Sequence, residues 1–139
     1  MIGFTEKAVC RKIGKTFELA AKEGFHPVEF SIFWLKSDVC KRLAALDFND
    51  IAQSALYQLN SIKMELGLAE QVLPACESDY NDIMFWAGYL FMYWIYQDEI
   101  EGSQIAEAYD VEGILARFET LHTLSCKTAI EEIKSNLCK

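Results

Sequence analysis

IMFWAGYLFMYWIY, residues 83–96, is the stretch whose reading decides the fold of this chain. No charged side chain interrupts it, while Asp79 and Asp82 precede it and Asp98, Glu99 and Glu101 follow it. A helix that is apolar all the way round has to be buried on every side, in a core, a membrane or a partner. A membrane span needs roughly 20 predominantly apolar residues, and runs of about 10–14 belong to core helices. Acidic flanks without Lys or Arg give a span nothing to anchor or orient it. The run is not N-terminal behind a basic leader either, so it does not read as a signal peptide. The expectation is therefore a core helix over residues 79–99 and no membrane segment.

The chain on either side supports helices. Two prolines and seven glycines in 139 residues favour long helices over many short strands. Val9, Ile13, Phe17 and Leu19–Ala21 recur at helical spacing after Thr5, a plain N-cap, and Gly24 closes that element. Pro27 suits the first turn of the next helix, whose apolar face is Phe30, Phe33, Trp34, Val39, Leu43 and Leu46. Ser37 and Asp38 leave open one kinked helix or two short ones. Asp47–Asp50 reads as a turn with Asn49 as cap, before Ile51, Ala55, Leu56, Leu59, Ile62 and Leu66 and a stop at Gly67.

Residues 68–78 form a connection that Pro74 keeps from being helical. Ser78 or Asp79 caps the central helix, and Asp79 and Asp82 suit its positive N-terminal end. After Gly102-Ser103 come a short helix to Asp110, a helix over about Val111–Leu121 capped by Asp110, a hinge at His122-Thr123, and a last helix from Ser125. The best strand candidate is Phe30–Leu35. No repeat, low-complexity tract or interdomain linker is visible, so the chain reads as a single helical domain, 1–139.

Charge is segregated. Of the net −8, residues 64–116 carry eleven acidic side chains and no Lys or Arg. Such a field repels phosphate backbones and attracts basic partners. Cys10, Cys40, Cys76, Cys126 and Cys138 form no C-x-x-C pair; they read as reduced cytosolic thiols packed as small hydrophobes.

No constellation spells out a reaction. Glu119-x-x-His122 has the spacing of a di-iron ligand pair, but no second pair or inward carboxylates accompany it. Cys126 follows His122 by four residues and would pair with it only on one helix. Asp98, Glu99 and Glu101 lack a nucleophile or oxyanion donors beside them, and no glycine-rich phosphate loop is present. Ser103–Val111 has the look of the first half of a helix-turn-helix, yet the following helix offers only Arg117 among Glu112 and Glu119. No cofactor or metal is expected, and a nucleic-acid regulator or a small metal enzyme remains the alternative to a binding protein. Trp86, Tyr89, Tyr93, Trp94 and Tyr96 are residue types enriched at interface hot spots, and Gly88 would admit a second backbone at close range. The helix could serve the monomer's core, or pair with its own copy in a homodimer.

Trp86-Ala87-Gly88-Tyr89-Leu90, Tyr93-Trp94, Gly102-Ser103-Gln104-Ile105, Tyr109-Asp110-Val111, Ile114-Leu115, Phe118, Leu121-His122-Thr123 and Ala129-Ile130-Glu131 carry a resemblance. Over residues 83–133 the chain resembles a group of short, uncharacterised bacterial helical proteins often encoded beside ADP-ribosyltransferase-like toxins. The resemblance implies an antitoxin or toxin-neutralising role and no catalytic residues. The sequence thus predicts an all-α bundle of about five to seven helices around the 79–99 helix. Its expected function is a cytosolic, non-catalytic module for a basic protein partner, a toxin on this resemblance. Trp86, Tyr89, Tyr93, Trp94, Asp98, Glu99, Glu101 and His122 are the candidate partner-binding residues.

Overall fold

The computed structural model describes residues 2–68 and 80–139. Pro74, Cys76 and the caps Ser78 and Asp79 lie outside the described residues. Within them the chain is all-α: α1 (Phe4–Lys22), α2 (Pro27–Lys36), α3 (Asp38–Ala44), α4 (Phe48–Ile51), α5 (Ala55–Leu68), α6 (Asn81–Asp98), α7 (Gly102–Ala108), α8 (Val111–Ala116), α9 (Phe118–Leu121) and α10 (Cys126–Asn136). The central helix is α6, and no described helix is long and apolar enough to cross a membrane.

Ten segments exceed the five to seven expected because local capping chemistry breaks longer patterns. Ser37 accepts the Cys40 N–H on Oγ at 3.1 Å and donates to the Trp34 carbonyl at 2.7 Å, so α2 and α3 are two helices. Asp47, not Asn49, caps the single turn α4, its Oδ1 accepting the Asn49 N–H at 3.0 Å. A carboxylate two residues upstream beats the amide because it is charged and already faces the free N–H groups. Ser54 then receives the Tyr57 N–H at 3.1 Å as α5 begins. Phe30–Leu35, the strand candidate, lies inside α2; its apolar run was short enough to suit either state. Asp110 and Ser125 cap α8 and α10 as the sequence predicts, but the helix after Asp110 breaks at Arg117 into α8 and α9.

The most extensive helix pair is α1 on α6, and two glycines make it. A Cβ on Gly88 would lie 2.6 Å from the Ile13 carbonyl oxygen and 2.8 Å from the Phe17 ring. One on Gly14 would lie 2.9 Å from the Phe85 carbonyl oxygen. Gly14, a helix breaker in propensity terms, is thus the reciprocal half of this crossing. The backbone that Gly88 admits belongs to α1 of the same chain. Phe17 sits at the crossing with its ring edge-on to Phe30 (5.1 Å) and Trp34 (5.2 Å) and tilted against Phe91 (6.3 Å). Edge-to-face rings at these distances add about 0.5–1.5 kcal/mol each beyond their burial.

Burial sorts the thiols. Cys10 and Cys40 are buried, and desolvation pushes each thiol up to about 12. Burial pushes Cys126 up to about 11, while Cys138 is exposed. Because the thiolate is the nucleophile, iodoacetamide at neutral pH should label Cys138 first among these four, and Cys10 and Cys40 only once the fold opens. Peptide mapping over time checks this; early labelling of Cys10 would contradict the packing described.

Candidate functional site

An all-apolar helix was expected to be covered on every side, and α6 is covered on all but one. Met84, Ala87, Leu90, Phe91, Met92, Trp94 and Ile95 are buried. Phe85, Trp86, Tyr89, Tyr93 and Tyr96 are half-buried and Asp82 is exposed. Positions 82, 86, 89, 93 and 96 advance by three and four, so they form one stripe along the helix. Trp and Tyr suit such a stripe because each has an apolar body and a polar tip that can reach water or a hydrogen-bond partner.

At its N-terminal end the stripe forms one wall of a groove of about 490 Å³ lined by Glu18, Asp82, Phe85, Trp86, Tyr89, Phe118, Glu119 and His122. The break at Arg117 starts α9 alongside α6. Phe118 then meets Trp86 edge-on at 5.6 Å, and His122 stacks on Phe118 at 4.4 Å with planes 17° apart. His122 Nδ1 lies 2.7 Å from the Phe118 carbonyl oxygen. A carbonyl only accepts, so Nδ1 is the donor in this contact. Tyr89 continues the aromatic wall by stacking on Tyr93 at 6.4 Å.

Three carboxylates edge this aromatic surface, and they are not equivalent. Glu18 is bonded to Lys15 at 2.7 Å with Lys22 at 3.7 Å, and the Lys15 hydrogen bond holds its carboxyl below the usual range. Asp82 and Glu119 have no ion pair among the described residues. The groove therefore offers two uncompensated negative charges beside π-faces. That combination attracts a Lys or Arg side chain through both the carboxylates and the rings.

Trp94 and Asp98 do different work. Trp94 is wholly buried, its ring tilted 58° against Tyr109 at 4.8 Å, so it is core and presents no ring to a partner. Its Nε1 donates to Asp98 Oδ2 at 2.9 Å, and Lys134 of α10 pairs with the same oxygen at 2.6 Å. Burial alone would raise the Asp98 carboxyl. The bonds from Lys134, Gln97 and Trp94 outweigh it, and the carboxyl lies below its ordinary 3.8. A depressed carboxyl stabilises the fold above its unfolded value, and that stability is lost as pH falls through the folded value. Asp98→Ala, which orphans a buried indole N–H, should lose about 2 kcal/mol at neutral pH. Asp98→Asn, which can still accept from Trp94, should lose about 1 kcal/mol or less, given the partly exposed ion pair. Both deficits should shrink below pH 3.8; a deficit that grows there in denaturant titrations would refute the assignment.

Glu99 and Glu101 lie at the other end of α6, in a depression of about 540 Å³ with Glu6, Lys41 and Tyr96. Glu99 ends α6 in the left-handed region at φ 53°. The Glu101 N–H, at the start of α7, donates to Gln104 Oε1 at 2.8 Å. The Tyr96 hydroxyl donates to the Leu43 carbonyl at 2.7 Å. Lys41 already sits among these carboxylates, and among the described residues Tyr96 is the aromatic side chain lining the depression.

The eight sequence candidates thus separate: Trp86, Tyr89 and His122 line one groove with Tyr93 beside it, Glu99 and Glu101 line another depression, and Trp94 and Asp98 brace the interior. Sequence reading missed Asp82, Phe118 and Glu119 as groove residues. The 82–86–89–93 spacing was available as a signal for Asp82, whereas Phe118 and Glu119 needed the Arg117 break. Glu119 lies within the single-turn α9 and His122 at its C-cap, and no group of three metal-ligating side chains forms among the described residues. His122 and Cys126 sit on either side of the turn between α9 and α10, not on one helix. The reader position after α7 is taken by six-residue α8. No family model, curated protein or solved structure matches the chain.

Proposed function

We propose that this chain is a non-catalytic, cytosolic protein-binding module of the antitoxin or inhibitor type, whose basic partner inserts a Lys or Arg side chain into the Trp86–Phe118–His122 groove. The observation that carries the reading is the pairing, in one depression, of a half-open aromatic wall with the uncompensated carboxylates of Asp82 and Glu119. The acidic surplus of residues 64–116 supports it by steering a cation toward that wall. An antagonist of this kind acts by occupying its target's surface, so it needs no reacting group of its own. The resemblance of residues 83–133 to proteins encoded beside toxins agrees with such a role. Free thiols at Cys10, Cys40, Cys126 and Cys138 fit a reducing compartment.

Affinity capture from the source cell with the wild-type chain and with Asp82→Lys/Glu119→Lys tests the reading. The wild type should retain a basic protein that the reversed chain loses, and co-expression should relieve a toxin encoded nearby. Because both carboxylates are exposed, the reversal should leave the helical circular dichroism unchanged. Capture of the same proteins by both chains, with no relief, would end the proposal.

A further inference from the structure

The cation that the groove takes can be named more narrowly, because its two free carboxylates stand on different helices. Asp82 lies on α6, one turn before Trp86, and Glu119 lies on α9, next to Phe118. The third carboxylate of the groove, Glu18, is committed to Lys15 at 2.7 Å and to Lys22 at 3.7 Å. The rings beside the free pair have fixed planes. Trp86 is turned 71° against Phe118, and His122 lies within 17° of Phe118. His122 is itself tied down, its Nδ1 2.7 Å from the Phe118 carbonyl oxygen.

A compact ammonium and a planar guanidinium meet such a site differently. Lysine brings one strongly hydrated point charge, with its donors on a single nitrogen. Arginine spreads its N–H donors around a plane, is more weakly hydrated, and stacks on aromatic faces. Lying flat along a ring wall, a guanidinium keeps its donors pointing outward in that plane, toward carboxylates on either side. We infer that the groove selects arginine over lysine: Asp82 and Glu119 each hold one edge of the guanidinium, and the Trp86–Phe118 wall takes its face. This inference rests on the cation-binding reading of the groove, and its test separates failure of the one from failure of the other.

Three peptides of equal length and charge, titrated calorimetrically into the whole chain, make the test. Their basic positions carry arginine, lysine, or arginine dimethylated on its terminal nitrogens. The arginine peptide should bind about tenfold tighter than the lysine peptide, the worth of roughly one hydrogen bond to a charged group. Methylation keeps the charge but blocks bidentate hydrogen bonding, so the dimethylated peptide should fall to the lysine peptide's affinity. Asp82→Asn and Glu119→Gln should each bring the arginine and lysine affinities together. Both positions are exposed, so helical circular dichroism should stay as it is. Glu18→Gln should leave the arginine-to-lysine ratio unchanged, because that carboxylate is already engaged. Equal binding of the arginine and lysine peptides, full affinity of the dimethylated peptide, or a ratio that survives both single substitutions overturns the selectivity while the cation groove stands. Binding by none of the three peptides overturns the groove reading and this inference with it.

Discussion

Gly88→Val is expected to destabilise the protein by about 4 kcal/mol, near the limit of what one substitution does. The first atom a side chain meets there is the Ile13 carbonyl oxygen, 2.6 Å from the Cβ position. A backbone oxygen cannot rotate away as a side-chain end would. The next obstacle, the Phe17 ring, is held by Phe30, Trp34 and Phe91. The strain is relieved only by moving α1 off α6, which loosens the largest helix pair in the molecule. Overpacking of an interior typically costs 1–3 kcal/mol, and more where the surroundings cannot shift. Valine, being β-branched, recovers less helix propensity than alanine would. Gly67→Ala supplies the contrast: among the described residues nothing lies within 4 Å of its Cβ, so the propensity gain of up to about 1 kcal/mol meets no clash there. Urea unfolding should move the two midpoints in opposite directions. If both variants unfold at the wild-type midpoint, close α1–α6 packing at Gly88 does not hold.

That contrast shows where sequence reading reaches and where it stops. Gly67 reads as a helix stop and Gly88 as a helix-interior glycine, but only the position of α1 shows that a side chain is barred at the second. The IMFWAGYLFMYWIY run identified a buried helix because hydrophobicity is a property of the segment itself. Caps were legible at Asp110 and Ser125, which lie directly before their helices, but not at Thr5, which falls inside α1 with Gly3 at the N-cap position. They misled at Asp47–Asp50, where Asp47, Asn49 and Asp50 compete for one role. The groove was half legible. The Trp and Tyr residues of α6 were marked by type, but which of them face outward depends on α1, α9 and α10. Trp94 and Trp86 read alike in sequence; Tyr109 and Asp98 enclose the first, while Phe118 leaves the second half open. Asp98 looked like surface charge because Lys134, its partner, is 36 positions away.

Trp86 also carries the second large expectation, which is functional. Trp86→Ala should weaken binding of the basic partner by about 30-fold or more, the loss of about 2 kcal/mol that marks a hot spot. Tryptophan is the best ring for a cation, and Asp82, a turn earlier on α6, lines the same groove. Removing the indole also withdraws the edge that positions Phe118, on which His122 stacks. The remaining rings would then lose their fixed geometry as well as their largest member. Trp86→Phe keeps the apolar body but offers a weaker face, so it should retain part of the affinity. Asp82→Asn/Glu119→Gln should lose affinity chiefly at low salt, because exposed charges are screened as ionic strength rises. An arginine-rich peptide makes a defined probe: Trp34 and Trp94 are wholly buried and Trp86 is not, so fluorescence quenching on titration reports the groove. Quenching that is equal for a glutamate-rich peptide, or unchanged in Asp82→Asn/Glu119→Gln, would remove cation recognition from this site.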